Sequence, residues 1–396
     1  MPEPVVRPAA KPRPPREAEF SDEVLFLTDA PVPGRAVARS AGEVWSRAVT
    51  DWTTLQTLEP QWRDLAEAAA ELNPFFEPWM LLPALRSFAA DGSVEVVLVF
   101  RGETLIGLFP TQYRRGRAEL WRHPYCYLTA PLLRRGTERA ALRCWLDALK
   151  DRTAVVRLED IPGEGCLRLL LLDELSERGW PSLVSQAYTR AVLRRAPSAD
   201  DYLNRALAGK RRKEFRRQRT RLSELGRLTT EELPPDADPQ AWIAEFLALE
   251  AQGWKGREGV DSMRDRAFVE EMAQGAARSG KLQMLALRLD GKPIALKMNF
   301  LGGEGGFAFK ITFDEAFARF SPGVLLELDN VERAHQLPSL RWMDSCAAPN
   351  RFMINHLWPD RREMQTVFFA TGSKRGALTV ALVPLLHFCR RLMGRA

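Results

Sequence analysis

The sequence predicts an α/β fold (α+β in detail) built twice, with mixed sheets flanked by helices. Three observations carry this: strand and helix patterns alternate along the chain, two similar hairpins recur in similar surroundings, and the composition is that of a folded protein. At 396 residues, 45% hydrophobic and 27% charged, the chain is long enough for two domains and unlike a disordered, collagen-like or multi-span membrane protein. Lys and Arg number 57 against 51 Asp and Glu, a net charge of +6. So small an excess suits acidic cofactors, phosphate groups or an anionic membrane surface and does not by itself indicate nucleic acid. Of the basic residues only 10 are Lys, a bias that reflects genome composition before function. Five Cys at wide spacings with no CxxC pair suggest neither a disulfide framework nor a zinc knuckle, so a reducing cytoplasmic setting fits.

Residues 1–45 read as a disordered tail. Six prolines fall in the first twenty residues, interleaved with Arg7, Lys11, Arg13 and Arg16, and no apolar core of a secretory signal is present. Residues 46–195 form the first expected domain. A helix over Leu55 to Ala70 and another over Trp79 to Ala89 lead into a hairpin, Val94 to Phe100 and Thr104 to Tyr113, around Arg101-Gly102. A strand at Ala154 to Leu158 and a helix at Glu164 to Arg178 follow. Residues 196–375 form the second domain. It opens with one long basic helix, Ala199 to Leu225, ended by Gly226 and the break at Leu233-Pro234-Pro235. Helices at Asp238 to Gln252 and Met263 to Arg278 precede strands at Leu282 to Leu289, Ile294 to Phe300 and Gly306 to Ile311, and a helix begins at Ser321-Pro322-Gly323. The stretch Leu98 to Leu108 parallels Leu287 to Leu296, with the second turn one residue shorter, and two helices precede each hairpin, the pattern of a tandem duplication.

Chemistry is sought first at Gly306 to Ala316 and Phe320 to Glu327, which read as strand, loop, helix. Pro322 gives up an amide that is unpaired at a helix start anyway, Ser321 can cap, and Gly323 admits a ligand to the backbone; the remaining N–H groups suit a pyrophosphate. Eight of the twelve residues Lys210 to Arg221 are basic, with Phe215, Leu222 and Leu225 at helical spacing. That face suits solvent, lipid headgroups, CoA phosphates or an RNA backbone, although the helix lacks aromatic stacking partners for base reading. Residues 376–396 join an apolar body, Ala377 to Cys389, to Arg390, Arg391 and Arg395. This is too short to cross a bilayer and suits either an interfacial anchor or a core-packed helix. Cys346 and His356 raise a Cys–His nucleophile, which no second element supports. His123 with Cys126 is too sparse for zinc, and His335 and His387 sit in apolar helical settings, so no metal is expected.

The segments Lys210 to Arg217, Leu249 to Gly259, Phe320 to Gly323 and Asp344 to Asn350 together resemble the GNAT acyltransferases. The likeness is to the double-GNAT branch of cellulose-biosynthesis (CelD-like) acetyltransferases, related to the FemAB aminoacyltransferases and to a bacterial ceramide synthase. It covers roughly residues 50 to 370. It implies a tandem duplicated GNAT fold and acyl-CoA as co-substrate. The pantetheine would run along the strand before the Ser-Pro-Gly loop, near Phe309, Lys310, Ile311, Ser321, Gly323, Val324 and Leu325. The common single-domain GNAT loop is reduced here to Arg319-Phe320-Ser321-Pro322-Gly323. GNAT chemistry, direct attack of an amine on a thioester, needs a base; the candidates are Glu250, Asp344 and Asp314. Trp254, Lys255, Arg257, Ser345, Cys346 and His356 are the candidate substrate contacts. The expected activity is acyl-CoA-dependent N-acylation in envelope biosynthesis, with a long-chain amino alcohol as acceptor or else an amino sugar, and with peripheral contact at an anionic inner membrane. DNA and tRNA are not expected partners. An aminoacyl-tRNA-dependent transferase and an inactive GNAT scaffold are the remaining alternatives.

Overall fold

The computed structural model describes residues 42–89, 92–253 and 263–392. The tail expected over residues 1–45 therefore lies almost wholly outside the described residues. The first half runs β1 (Val44–Val49), α1 (Trp52–Thr57), α2 (Glu59–Glu67), α3 (Pro78–Phe88), β2 (Val94–Arg101), β3 (Thr104–Arg114), β4 (Arg117–Leu120), β5 (Leu132–Leu133), α4 (Glu138–Lys150), β6 (Val155–Pro162), α5 (Cys166–Glu177) and β7 (Ser182–Arg194). The second runs α6 (Ala199–Ala206), α7 (Gly209–Ser223), β8 (Leu228–Glu232), α8 (Gln240–Gln252), α9 (Met263–Arg278), β9 (Leu282–Leu289), β10 (Lys292–Gly302) and β11 (Gly305–Phe313). It continues through α10 (Pro322–Gln336), β12 (Trp342–Asp344), α11 (Phe352–Leu357), β13 (Asp360–Ala370) and α12 (Lys374–Leu392).

Local chemistry sets several of these boundaries. Asp51 caps α1 by accepting from the Thr54 amide at 2.8 Å, and Asn73 accepts from the Phe75 amide at 3.0 Å to turn the chain toward α3. The two hairpins correspond residue for residue. Arg101 faces Thr104 and Leu289 faces Lys292, so each loop has two residues; in each return strand the third residue, Ile106 or Ile294, is an unpaired bulge. The turns are thus equal in length, where the sequence suggested a shorter second one. Asp290 and Gly291 both have positive φ, 48° and 79°, the backbone that matches strand twist in a two-residue loop.

Among the described residues, twelve strands follow one another across a single sheet in the order β1-β2-β3-β4-β6-β13-β7-β12-β11-β10-β9-β8, with β5 beside β3. Neighbours are antiparallel except β4 with β6 and β11 with β12. Read from either end the order has the same form, five strands of one half and then a crossed central pair. β13 lies between β6 and β7, and β7 lies between β13 and β12, so each half receives its inner strand from the other. The described residues from Gly42 onward lie in one compact unit.

The expected basic helix is broken: Leu207 and Ala208 are extended and separate α6 from α7. Leu207 and Tyr202 are drawn into a core cluster with Trp358, Leu357 and Val331, and that burial outweighs helical continuity. The largest cluster fills the space around α2, α3, α4 and α9, with Trp62, Phe75, Phe76, Trp145 and Phe268 fully buried. Trp62 also donates from Nε1 to the Phe76 carbonyl at 2.8 Å, which ties α2 to the turn before α3.

Candidate functional site

β11 and β12 pair in parallel only at Gly305–Trp342, Gly306–Met343 and Phe307–Asp344. Beyond Phe307 they part. Two features force the divergence. The β10–β11 ladder slips between Met298 and Asn299, leaving Phe309 as an extra residue on β11. After Asp344 the chain turns off the sheet through Cys346, at φ 52°. The result is an opening in the β11–β12 ladder, with the outer half of β11 on one side and Ser345-Cys346 on the other. Where the strands still touch, glycine is required: a Cβ on Gly306 would lie 2.9 Å from Met343 Cγ, and one on Gly305 would strike the Trp342 ring.

The opening holds a charged pair. Lys310 Nζ donates to Glu250 Oε1 at 2.6 Å, with both side chains largely shielded from solvent. Glu250 comes from the last turn of α8. Lys310 Nζ also lies 5.0 Å above the Tyr125 ring, and Phe309 packs 6.2 Å from Tyr125 and 6.0 Å from Tyr127. These tyrosines belong to the first half. Burial pushes the Tyr127 phenol well above the usual range, and Cys346 and Glu250 are among the groups that act on it. The second half thus contributes the opening and the first half one of its walls.

Asp344 stands behind this wall. It is fully buried, accepts from Arg190 Nη2 at 2.7 Å and Arg362 Nη1 at 3.0 Å, and accepts the Cys346 amide at 2.9 Å. Burial acts to raise its pKa, but the two guanidiniums outweigh that and hold the carboxyl below its ordinary value. Arg190 also donates to the Tyr127 carbonyl at 2.6 Å, so one ion cluster clamps β7, β12, β13 and the tyrosine loop together. Asp314 has a local role: its Oδ1 accepts from the Ala316 amide at 2.9 Å and caps the 3-10 turn Glu315–Phe320.

That turn leads into α10, whose start differs from the sequence expectation. Ser321 adopts φ 53° and its side chain makes no cap hydrogen bond. Its carbonyl accepts the Val324 and Leu325 amides at 2.9 and 3.0 Å. Pro322 has no amide, so Gly323 presents the one N–H among the first helical residues that has no partner among the described residues, a narrower anion site than expected. Gly323 backs onto the end of β11, where a Cβ would lie 3.2 Å from Phe313 Cδ1. Ile311 and Val324 are half-buried at this junction, whereas Leu325 is fully buried in the core and offers a ligand nothing. α7 packs beside the turn, and Arg219 donates to the Leu325 carbonyl at 3.2 Å.

The remaining expected residues divide in three ways. Ser345 is buried and its Oγ accepts the Ala347 amide at 3.3 Å. The Cys346 thiol is pushed far up by burial and the neighbouring Asp344, a poor setting for a nucleophile, and His356 is exposed on α11. Trp254, Lys255 and Arg257 lie outside the described residues. No group of three or more His, Cys, Asp or Glu among the described residues is placed to hold a metal ion. Sequence reasoning missed Tyr125, Tyr127 and Arg190, because a loop and a central strand of the first half bring them in, and Arg362, which the exchanged strand β13 carries. It also missed the buried Lys297–Glu327 pair (2.7 Å), which β10 and α10 share behind the opening.

Among the described residues the first half has no equivalent opening. β4 and β6 also pair in parallel over three residues and part, and Asp160 at φ 48° occupies a place like that of Cys346. There residues 121–131 run from one flanking strand to the other: Trp121 N bonds Pro110 O of β3 at 2.7 Å, continuing the β3–β4 ladder, and Thr129 N bonds Asp160 O of β6 at 3.2 Å.

Residues 209–352, which contain the opening, match the model of the acetyltransferase (GNAT) domain family. These residues have the GNAT acetyltransferase-domain fold, and the first half repeats their strand order, with strands exchanged between the two copies. Solved structures of similar fold include the C-terminal domain assigned to a lysylphosphatidylglycerol synthetase of Agrobacterium fabrum (TM-score 0.54, 11% identity, 82% of this chain and 95% of that one). FemX (0.52, 10%, 78% and 95%) and L-PGS of Bacillus licheniformis (0.51, 13%, 85% and 97%) are similar. Comparison with curated protein sequences gives no match.

Proposed function

We propose that this GNAT-type acyltransferase moves an acyl group from acyl-CoA to an amine used in envelope biosynthesis, and that the reaction takes place in the β11–β12 opening. The observation that carries the reading is the asymmetry between the copies: the second half keeps an open strand edge beside a charged pair, whereas the first half has filled its own. Among the described residues the edge of β11 from Ala308 to Phe313 has no ladder partner on its β12 side, and its amides and carbonyls suit the amide groups of a pantetheine arm. The Gly323 amide and the exposed basic residues of α7, Lys210, Lys213, Arg216 and Arg221 among them, suit the CoA phosphates.

In the reaction the amine nitrogen attacks the thioester carbonyl. A C–N bond forms, the C–S bond breaks, and the nitrogen loses a proton while the thiolate gains one. Glu250 is the favoured acceptor of the amine proton, directly or through water, because it borders the opening; Lys310 orients it. Asp344 is a weaker base since two guanidiniums hold it ionised, and Asp314 is engaged as a cap.

For the acceptor, a long-chain amino alcohol remains the favoured reading, taken from an anionic inner-membrane surface, with an amino sugar as the alternative. A second reading has support from a fold neighbour that carries the name of a lysylphosphatidylglycerol synthetase: the transferred group is then aminoacyl and its donor a tRNA. Release of CoA thiol from palmitoyl-CoA or acetyl-CoA with a long-chain amino alcohol or a hexosamine tests these readings together. Turnover with palmitoyl-CoA and the amino alcohol supports the first. Turnover with aminoacyl-tRNA and no thioester supports the second.

A further inference from the structure

We propose that α12 docks the protein on an anionic lipid surface, lying in the plane of the interface with its outer leucines inserted. The inner side of the helix is accounted for. Ala377, Val380 and Val383 pack with Val155, Phe368 and Ala370 on the sheet, and Gly376 lets the helix start press against the Ala154 carbonyl. The outer side carries Leu378, Leu382, Leu385 and Leu386, which are 62%, 42%, 55% and 57% exposed. At about 100° per residue these four fall within an arc of about 100°, a single stripe. Half of the eight large hydrophobic side chains that are exposed among the described residues lie on this one helix, so it is a patch and not scatter.

Charge identifies the occupant. Lys374 and Arg375 begin the helix, Arg390 and Arg391 stand near its end, and no Asp or Glu lies between. An apolar stripe with cations at both ends matches acyl chains beneath anionic headgroups. A second copy fits poorly: antiparallel or parallel, two such helices bring like charges together at each end with no carboxylate of their own to offset them. No helix among the described residues is long and apolar enough to cross a membrane, so the fitting geometry is in the plane.

The docking rests on the acyl-transfer reading only for its purpose. Stabilisation by acyl-CoA without vesicle binding overturns this inference alone, and vesicle binding without acyl-CoA binding overturns only the other. The test is flotation of the full chain with vesicles of phosphatidylcholine, with or without about one third phosphatidylglycerol. The expected result is binding to the mixed vesicles that weakens with added salt. Lys374→Ala with Arg375→Ala should weaken it by roughly fivefold per charge lost. Leu382→Glu with Leu386→Glu should abolish it while leaving the thermal midpoint unchanged, because both side chains face outward. Failure of the natural chain to bind the mixed vesicles overturns the proposal, as does undiminished binding of the double-glutamate variant. A dimer in sedimentation that the same variant converts to monomer assigns the stripe to a second copy and overturns it equally.

Discussion

Glu250 and Lys310 are separated by 60 positions and meet at 2.6 Å in a shielded setting. Glu250→Gln removes the proton acceptor while keeping the shape, so turnover should fall about 10²- to 10⁴-fold with a nearly unchanged thermal midpoint. Asp344→Asn should behave in the opposite way. It strands the buried Arg190 guanidinium and should destabilise the fold by about 3–5 kcal/mol in urea titration, a loss visible before any kinetic effect. His123 gives a pH signature. Stacked on Phe88 at 5.6 Å and packed against Phe268, it is pushed down to a pKa of about 3 by burial, from 6.5. The folded state holds it neutral while the unfolded chain takes up a proton below pH 6.5, so its contribution is intact above that pH and is lost as pH falls toward 3. Between pH 7.5 and pH 5 this should remove about 2 kcal/mol of stability, a loss absent from His123→Leu in urea titrations at the two pH values. At this scale the family resemblance pointed to Lys310 on the cofactor strand, and the sequence made Glu250 visible through the unusual composition around it. It concealed Tyr127 and Arg190, since nothing local marks a loop tyrosine or a strand arginine as belonging to another half's site.

Among the elements, the segments with a clean period were the legible ones. α9 and β9 stand where their apolar spacing places them, at Met263–Arg278 and Leu282–Leu289. β7 and β13 did not stand out, because Ser182 to Thr189 and Asp360 to Glu363 mix polar residues on both faces; β7 is buried only over residues 190–193, and β13 becomes buried from Met364 onward. The opening itself is an element-scale feature, made by one extra residue on β11 and a three-residue β12. Lys297 and Glu327 brace the strand and helix behind it. Lys297→Ala leaves a buried carboxylate unpaired and should cost about 3–5 kcal/mol, whereas Lys297→Met combined with Glu327→Leu should cost clearly less, as read from paired urea titrations.

For the whole molecule, the interlock of the copies has the largest mechanical consequence. Duplication was legible in the paired hairpins, but strand exchange was not, since it depends on which edges meet in space. With β13 between β6 and β7, neither copy completes its sheet alone, so the described body should unfold in one cooperative step, with circular dichroism and tryptophan fluorescence coinciding. Two separated transitions would show that the copies are independent. The same arrangement lets one copy wall the other's opening, which is the physical basis for assigning chemistry to the second half. The central claim, that acyl-CoA enters between β11 and β12, is tested most directly by thermal unfolding of the purified protein with acetyl-CoA, palmitoyl-CoA or palmitate as control. The account expects a thioester at about 100 times its dissociation constant to stabilise the fold by about 2.7 kcal/mol, and palmitate to do nothing. Stabilisation by neither thioester would contradict it.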